Sequence, residues 1–436
     1  EISYRKAIEL NPNFADAHYN LGNALSDLGK LQEAESSTRK AIEINPNLAD
    51  PHLNLGNILY SLEKLKEAEL STRKAIEIKP DYADAYLNLG SILINRGKLN
   101  EAELYIRKAI ELKPDFADSY SNLSLIELLK GDYHSGLENY EFRFKKKNPP
   151  IIHGKPASKR IDNQKLKKGE KLVVVSEQGL GDTLQFMRYI PYLRNQGLDI
   201  SFCAQETLHT LIKASSIHPN PLTPAQANKI SESPWIPLAS IPRYLEVNPQ
   251  NPIISKPYIF STQKLIKKWE KILSKDKRPI IGINWQGNPS VEKSNLKGRS
   301  LPLETFSTLA RNHDFKFVSL QKKFGSEQLD DCSFKNKFVE CQSQINSTWD
   351  FLEIAGIIEN CDLIITSDTS IAHLAGGMGK STWLLLKYIP GWIWGLQGET
   401  TFWYPSMKLF RQKSKDNWHE VMKRVSDQLK AERVDK

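Results

Sequence analysis

The sequence predicts an α-helical repeat superhelix followed by an α/β region of two open, parallel-sheet units. Three observations predict it. A six-residue phrase returns at a fixed step of 34 residues through the first third of the chain. Near residue 170 the pattern changes from all-helical to strand, glycine turn, helix, strand, and after residue 263 a second alternating series begins. The chain has 436 residues, 40% hydrophobic and 25% charged, which is room for about two to three ordinary domains. No apolar run approaches the roughly 20 residues of a membrane helix.

The repeats come first. Ala7-Ile-Glu-Leu-Asn-Pro12 returns as Ala41-Ile-Glu-Ile-Asn-Pro46, Ala75-Ile-Glu-Ile-Lys-Pro80 and Ala109-Ile-Glu-Leu-Lys-Pro114. Asn20-Leu-Gly22, Asn54-Leu-Gly56, Asn88-Leu-Gly90 and Asn122-Leu-Ser124 keep the same step. A 34-residue unit with small residues at Gly22, Ala34 and Ala41 and a closing Pro46 resembles the tetratricopeptide repeat, a helix pair whose small residues let the two helices approach. Pro46, Pro80 and Pro114 end the second helix of each pair. Residues 1–14 then read as the second helix of a repeat that began earlier, and 117–147 as the last, modified repeat. The array is expected over 1–147. Asn20, Asn54, Asn88 and Asn122 form a file whose amides suit a peptide backbone in the groove; bonding to the neighbouring helix is the alternative. Such a file resembles the asparagine ladder of protein O-GlcNAc transferase.

Residues 148–169 carry Pro149, Pro150 and Pro156 among basic residues and read as a linker. The net charge of +9 is concentrated from Arg143 to Lys171. A solvated stretch, or one facing an anionic membrane or glycan, accounts for it. No nucleic-acid module accompanies it, so no nucleic-acid partner is expected. Four cysteines without CxxC spacing read as free thiols of a reducing cytosol. The expected location is cytoplasmic, with peripheral contact to the inner membrane face.

From 170 the alternation starts. Leu172–Val175 reads as a strand, Ser176-Glu-Gln-Gly-Leu-Gly-Asp182 as a glycine turn, Thr183–Arg194 as a helix and Ile200–Cys203 as a strand. This opens a Rossmann-like unit over 170–258. Gly179 and Gly181 lack the third glycine of a dinucleotide fingerprint. Residues 215–257, rich in proline, are expected to hold little regular structure. A helix over Gln263–Ser274 leads into the second Rossmann-like unit, 259–436. Its strands are expected at Ile280–Asn284, Phe315–Leu320, Lys337–Val339, Leu363–Thr366 and Thr382–Leu386. Its helices are expected near Leu303–Asn312, Thr348–Glu359, Ile371–Met378 and Asn417–Leu429. Two such units facing across a cleft would make a GT-B architecture.

Thr366 to Ser370 is a polar turn between strand and helix, where free N–H groups and the helix dipole favour an anion. Gly379-Lys380-Ser381 mimics a phosphate-binding P-loop, but Leu374 stands where the motif needs glycine and the order is helix to strand. It reads as a helix stop.

Ser176-Glu-Gln-Gly-Leu-Gly-Asp182, Gly298-Arg-Ser-Leu-Pro302 and Ser367-Asp-Thr-Ser-Ile-Ala-His-Leu374 are similar, in this order and spacing, to motifs of the heptosyltransferase-like glycosyltransferases of family 9. The resemblance implies a metal-independent GT-B glycosyltransferase moving a sugar from a nucleotide diphosphate sugar to an acceptor hydroxyl, with inversion, and with repeats that recruit a protein partner or a protein or glycan acceptor. The donor is a co-substrate; no cofactor and no metal are expected, and no D-x-D triplet occurs. Asp182 would be the catalytic base, or alternatively a helix cap at Thr183. Arg299 would face the diphosphate, or be a surface arginine. Asp368, Thr369, Ser370 and His373 would complete the donor site, His373 being equally readable as a structural histidine. Gln321 and Lys322 follow a strand end, where α/β ligands bind. Trp392, Trp394, Trp403 and Tyr404 would stack on a ligand or pack between units. A protein O-GlcNAc transferase-like enzyme and a non-catalytic repeat scaffold with a degenerate transferase domain are the alternative functions.

Overall fold

The computed structural model describes residues 1–275, 277–292, 297–312 and 314–432 and divides into two compact units at Pro149 and Pro150. The first unit is helical: α1 (Ile2–Leu10), α2 (Ala15–Asp27), α3 (Leu31–Ile44), α4 (Ala49–Ser61), α5 (Leu65–Ile78), α6 (Ala83–Asn95), α7 (Leu99–Leu112), α8 (Ala117–Lys130) and α9 (Tyr133–Tyr140). Paired helices touch where the repeat keeps small residues. A Cβ at Gly56 would stand 2.2 Å from Thr72 Oγ1, so only glycine lets α4 and α5 come this close. Ion pairs repeat with the same step: Arg5–Glu33, Arg39–Glu67 and Arg73–Glu101 each link one repeat to the next. Such exposed pairs contribute little each but favour one stacking register.

In the second unit, β1 (Lys171–Val175), α10 (Leu180–Phe186), α11 (Tyr189–Asn195), β2 (Asp199–Cys203), α12 (His209–Ala214), α13 (Pro224–Ala227), β3 (Trp235–Pro237) and α14 (Ile241–Tyr244) build a parallel sheet of order β2-β1-β3. Next come α15 (Gln263–Leu273), β4 (Ile280–Asn284), α16 (Ser307–Asn312), β5 (Lys316–Ser319), α17 (Gln328–Asp331), α18 (Gln342–Asn346), α19 (Phe351–Glu359), β6 (Leu363–Ser367), α20 (Ser370–Met378), β7 (Thr382–Leu386), β8 (Met407–Arg411) and α21 (Trp418–Glu432). Their strands form a second parallel sheet, β5-β4-β6-β7-β8, around a core that includes Ile281, Ile283, Phe317, Ile365 and Leu385.

Several expectations change. The helix expected over Thr183–Arg194 is two helices, because Pro191 cannot extend the backbone ladder. Tyr258 and Arg188 also occupy the Leu184 and Gln185 carbonyls, at 2.7 and 2.8 Å. The proline-rich 215–257 supplies β3, α13 and α14. β3 is a three-residue strand, too short to show a period between its prolines. Lys337–Val339 is no strand: Phe338 makes a single bridge to Phe317. β8 was not anticipated; the half-buried Lys408 and Arg411 blur its alternation. The stretch 148–169 is not a free linker: His153 N–H donates to the Ser176 carbonyl and Ile161 N–H to the Trp235 carbonyl, both at 2.9 Å, which lays it along the first sheet. Part of the basic charge between Arg143 and Lys171 is used locally, Lys165 on the Tyr244 carbonyl and Lys146 on Asp118 at 3.0 Å. Gly379 ends α20 in the left-handed conformation, φ 75°, with Lys380 N–H returning to the Ala375 carbonyl, as expected of a helix stop. Among the described residues no helix is long and apolar enough to cross a membrane.

Candidate functional site

Each sheet reverses its strand order beside its first strand, between β1 and β3 and between β4 and β6. At such switch points the following loops diverge and leave a crevice at the strand C-termini, where open α/β sheets bind ligands. In the second sheet Thr369 bridges the crevice, its Oγ1 donating to Asn284 Oδ1 at 2.8 Å. Thr369 is the N-cap residue of α20, but with its hydroxyl on Asn284 it makes no capping bond. The first-turn N–H groups therefore lack a side-chain cap and keep their capacity for an anion.

In the first sheet the chain leaves β1 through Glu177 and turns at Gly179 into α10. Glu177 is buried and accepts the Ala239 N–H at 3.2 Å. Asp182 is not an N-cap for Thr183. It lies in the first turn of α10, half-buried, and reaches back to accept the Gly179 N–H at 3.0 Å. Burial pushes its carboxyl up to about 6; the Gly179 N–H opposes the rise, and the charges of Glu177 and Asp368 add to it.

The helices that follow β1 and β6 touch at Gly181. A Cβ there would lie 2.9 Å from His373 Cδ2 and 3.7 Å from Ser370 Cα, so glycine is what lets α10 rest on the first turns of α20. Asp182, Asp368, Thr369, Ser370 and His373 are thereby gathered in one region of the second unit. Buried hydroxyls without a partner among the described residues, Ser176 and Ser367, stand at the C-terminal ends of β1 and β6.

His373 is buried. Its Nδ1 lies 2.9 Å from the Tyr404 hydroxyl and its ring stacks on Trp394, centroids 5.3 Å apart. Burial, then the cations of Arg188 and Arg299, push it down to about 3, so it is a neutral imidazole at physiological pH. Arg188, also buried, lies against the rings of Tyr258, Trp403 and Tyr404, centroid distances 4.7, 5.6 and 4.5 Å, and donates to the Trp403 carbonyl at 2.6 Å. Trp403 and Tyr404 are therefore packing residues that tie the 402–404 loop to α10 and α11.

Arg299 joins the site from the loop after β4. Its Nη1 donates to the Asp368 carbonyl at 3.1 Å and its Nε to Glu292 at 2.9 Å. It is a half-buried, two-point-anchored cation, not a surface arginine. Asp368 is pushed up by burial, against the opposing pull of Arg299. Lys387, at the end of β7, was missed; burial lowers it to about 8, and Asp368 opposes that change. Its position just past a strand C-terminus is the signal that marks it.

Two expected residues point elsewhere. Gln321 is buried and fully engaged, Oε1 accepting from Asn284, Trp285 and Gln286 and Nε2 donating to the Gln286 and Phe324 carbonyls. It shapes the loop after β4. Lys322 turns to the Ile345 and Asn346 carbonyls at the end of α18, and burial lowers it to about 8. In the repeats, Asn88 donates to Asn57 at 2.6 Å and Asn122 to Ser91 at 2.8 Å, while Asn54 makes a long contact of 3.4 Å with Thr38. Asn20 occupies the same repeat position, half-buried. Most of the file thus bonds neighbouring helices. Among the described residues no three of His, Cys, Asp and Glu converge as a metal site.

Tetratricopeptide-repeat profiles match residues 15–48 and 83–116, and a TPR-repeat profile matches 56–97. The N-terminal unit is a tetratricopeptide-repeat array, the class of scaffold that mediates protein contacts. Similar solved structures include MamA, at 25% identity over 32% of this chain and 81% of that one, TM-score 0.31. YrrB, a TPR protein with an unusual peptide-binding site, is 24% identical over 33% and 74%, TM-score 0.30. The first TPR of Spaghetti (RPAP3), bound to an HSP90 peptide, is 25% identical over 26% and 90%, TM-score 0.26. No curated protein matches the chain.

Proposed function

We propose that the second unit is a GT-B glycosyltransferase of the heptosyltransferase-like kind, which takes a nucleotide diphosphate sugar and an acceptor hydroxyl, while the repeats engage a protein partner or acceptor. The observation that carries this reading is the contact at Gly181 and His373 between α10 and α20, the helices that follow strands beside the two switch points. In this reading Asp182 takes the proton of the acceptor hydroxyl; a carboxyl raised to about 6 is a stronger base than an ordinary one and is still ionised at neutral pH. Arg299, Lys387 and the first turn of α20 receive the diphosphate as it leaves. His373, held neutral, hydrogen-bonds the donor and adds no charge. The reaction needs no metal in this scheme, because the cations are side chains.

The test is a panel of UDP, ADP and GDP sugars scored by melting temperature, followed by transfer assays. A ligand that binds only the folded state must raise the melting temperature. Asp182→Asn should retain the shift and lose transfer; turnover by that variant would refute the role of Asp182. A preference for UDP-N-acetylglucosamine and a protein hydroxyl would select the O-GlcNAc transferase-like alternative.

A second reading, a non-catalytic scaffold, is favoured by one observation. Arg299 is already engaged by Glu292 and by the Asp368 carbonyl, so a diphosphate must displace or join those partners. No shift with any nucleotide would select this reading.

A further inference from the structure

We propose that the solvent face of α15 is a docking surface for an anionic lipid bilayer. This surface is independent of the transferase reading. Lys264, Lys267, Lys268 and Lys271 stand at positions i, i+3, i+4 and i+7, which lays them along one face of the helix, and all four are exposed. Leu265, Ile266, Trp269 and Leu273 occupy the opposite side, where Trp269 and Leu273 are buried. The lysine face is therefore held outward by the packing of the other.

The helix is preceded by an exposed aromatic. Phe260 is 52% exposed, two residues before the N-cap Thr262. Its backbone is fixed by Ser215, which accepts its N–H at 2.9 Å and donates to its carbonyl at 3.2 Å, so the ring projects from a tethered main chain. Among the described residues, Glu353 takes Lys268, and Glu270 stands on the flank of the stripe. Among the described residues, an ion pair thus engages one of the four lysines, Lys268.

The chemistry favours a bilayer over other polyanions. The stripe is made of lysine alone, compact hydrated charges that respond to a diffuse field and lack the forked geometry with which arginine reads individual phosphates. A straight row on one helix face meets a plane along its length, and an exposed apolar ring just ahead of the helix adds a group able to enter the headgroup region. The apolar side of α15 is committed to the core, so the contact is electrostatic with one aromatic wedge, and it must weaken with salt.

Co-sedimentation with phosphatidylserine–phosphatidylcholine vesicles tests the proposal on the full chain. Binding is expected at low salt, to fall steeply at high salt, and to be absent with pure phosphatidylcholine. The triple reversal Lys264→Glu, Lys267→Glu, Lys271→Glu should weaken binding at least about a hundredfold, from roughly fivefold per lysine. Phe260→Ser should weaken it less, and all four positions are exposed, so an unchanged melting temperature verifies the fold. Reversal at Lys145, Lys146 and Lys147 should leave binding in place. Equal binding to neutral vesicles, undiminished binding of the triple variant, or capture by heparin without capture by vesicles would each overturn the proposal.

Discussion

Asp182→Asn should stabilise the protein, and only above acidic pH. The native carboxyl is moved from 3.8 to about 6, chiefly by burial. That difference corresponds to about 3 kcal/mol between its protonated and ionised forms. Asp182 keeps some solvent access, so about 2 kcal/mol is the working figure. The sign follows from proton counts. Between the unfolded and folded values the native state holds more protons than the unfolded chain, so stability falls as pH rises through about 4 to 6. Above that window the full penalty is present; below it there is none. Asparagine carries no charge at either end, and its Oδ1 can still accept the Gly179 N–H. Urea unfolding followed by tryptophan fluorescence should find the two proteins about equal near pH 4 and the variant about 2 kcal/mol more stable near pH 8. A gap that does not grow with pH, or a variant less stable near pH 8, would refute the raised carboxyl. Stabilisation combined with loss of transfer would mark a residue kept for chemistry at a cost to the fold.

Gly56→Ala should cost about 1–3 kcal/mol in the urea unfolding of the repeat unit, because the new methyl meets Thr72 Oγ1, and Thr72→Ala in the same chain should recover part of it. Arg188→Met should cost about 3 kcal/mol, since the Gln185 and Trp403 carbonyls lose buried, charged donors; unchanged unfolding would contradict the aromatic cage. Lys387→Met should weaken nucleotide diphosphate binding about tenfold by calorimetry. In the parent protein that affinity should fall as pH rises past about 8, where Lys387 discharges.

Much of the architecture was written locally. The 34-residue step, Gly22, Gly56 and Gly90 at the helix contacts and the closing prolines define the repeat array, since each repeat contacts only its neighbours. The strands Leu172–Val175, Ile280–Asn284, Leu363–Thr366 and Thr382–Leu386 were legible because buried parallel strands are continuous apolar runs. Pro191 was also a local signal, for the break between α10 and α11. Trp235–Pro237 and Met407–Arg411 were not legible. A three-residue strand between prolines and an edge strand with half-buried cations have no clear period, and pairing with β1 and β7 makes them strands.

The site divides the same way. Sequence alone singled out the turn from Asp368 to His373 by its strand–turn–helix pattern, and Asp182 and Arg299 through the resemblance of their motifs. It determined which side chains were available for chemistry. Only the tertiary structure decided which of them meet. Strand order sets the switch points, and strand order is a matter of long-range pairing that no local pattern encodes. That pairing brings Gly181 against His373, sends Gln321 into the loop after β4 and Lys322 away from it, and adds Lys387 from the end of β7 and Arg188 from the start of α11. The asparagine file shows the same limit in the repeats. Its spacing was visible in the sequence, but the bonds of Asn88 and Asn122 depend on how adjacent repeats stack.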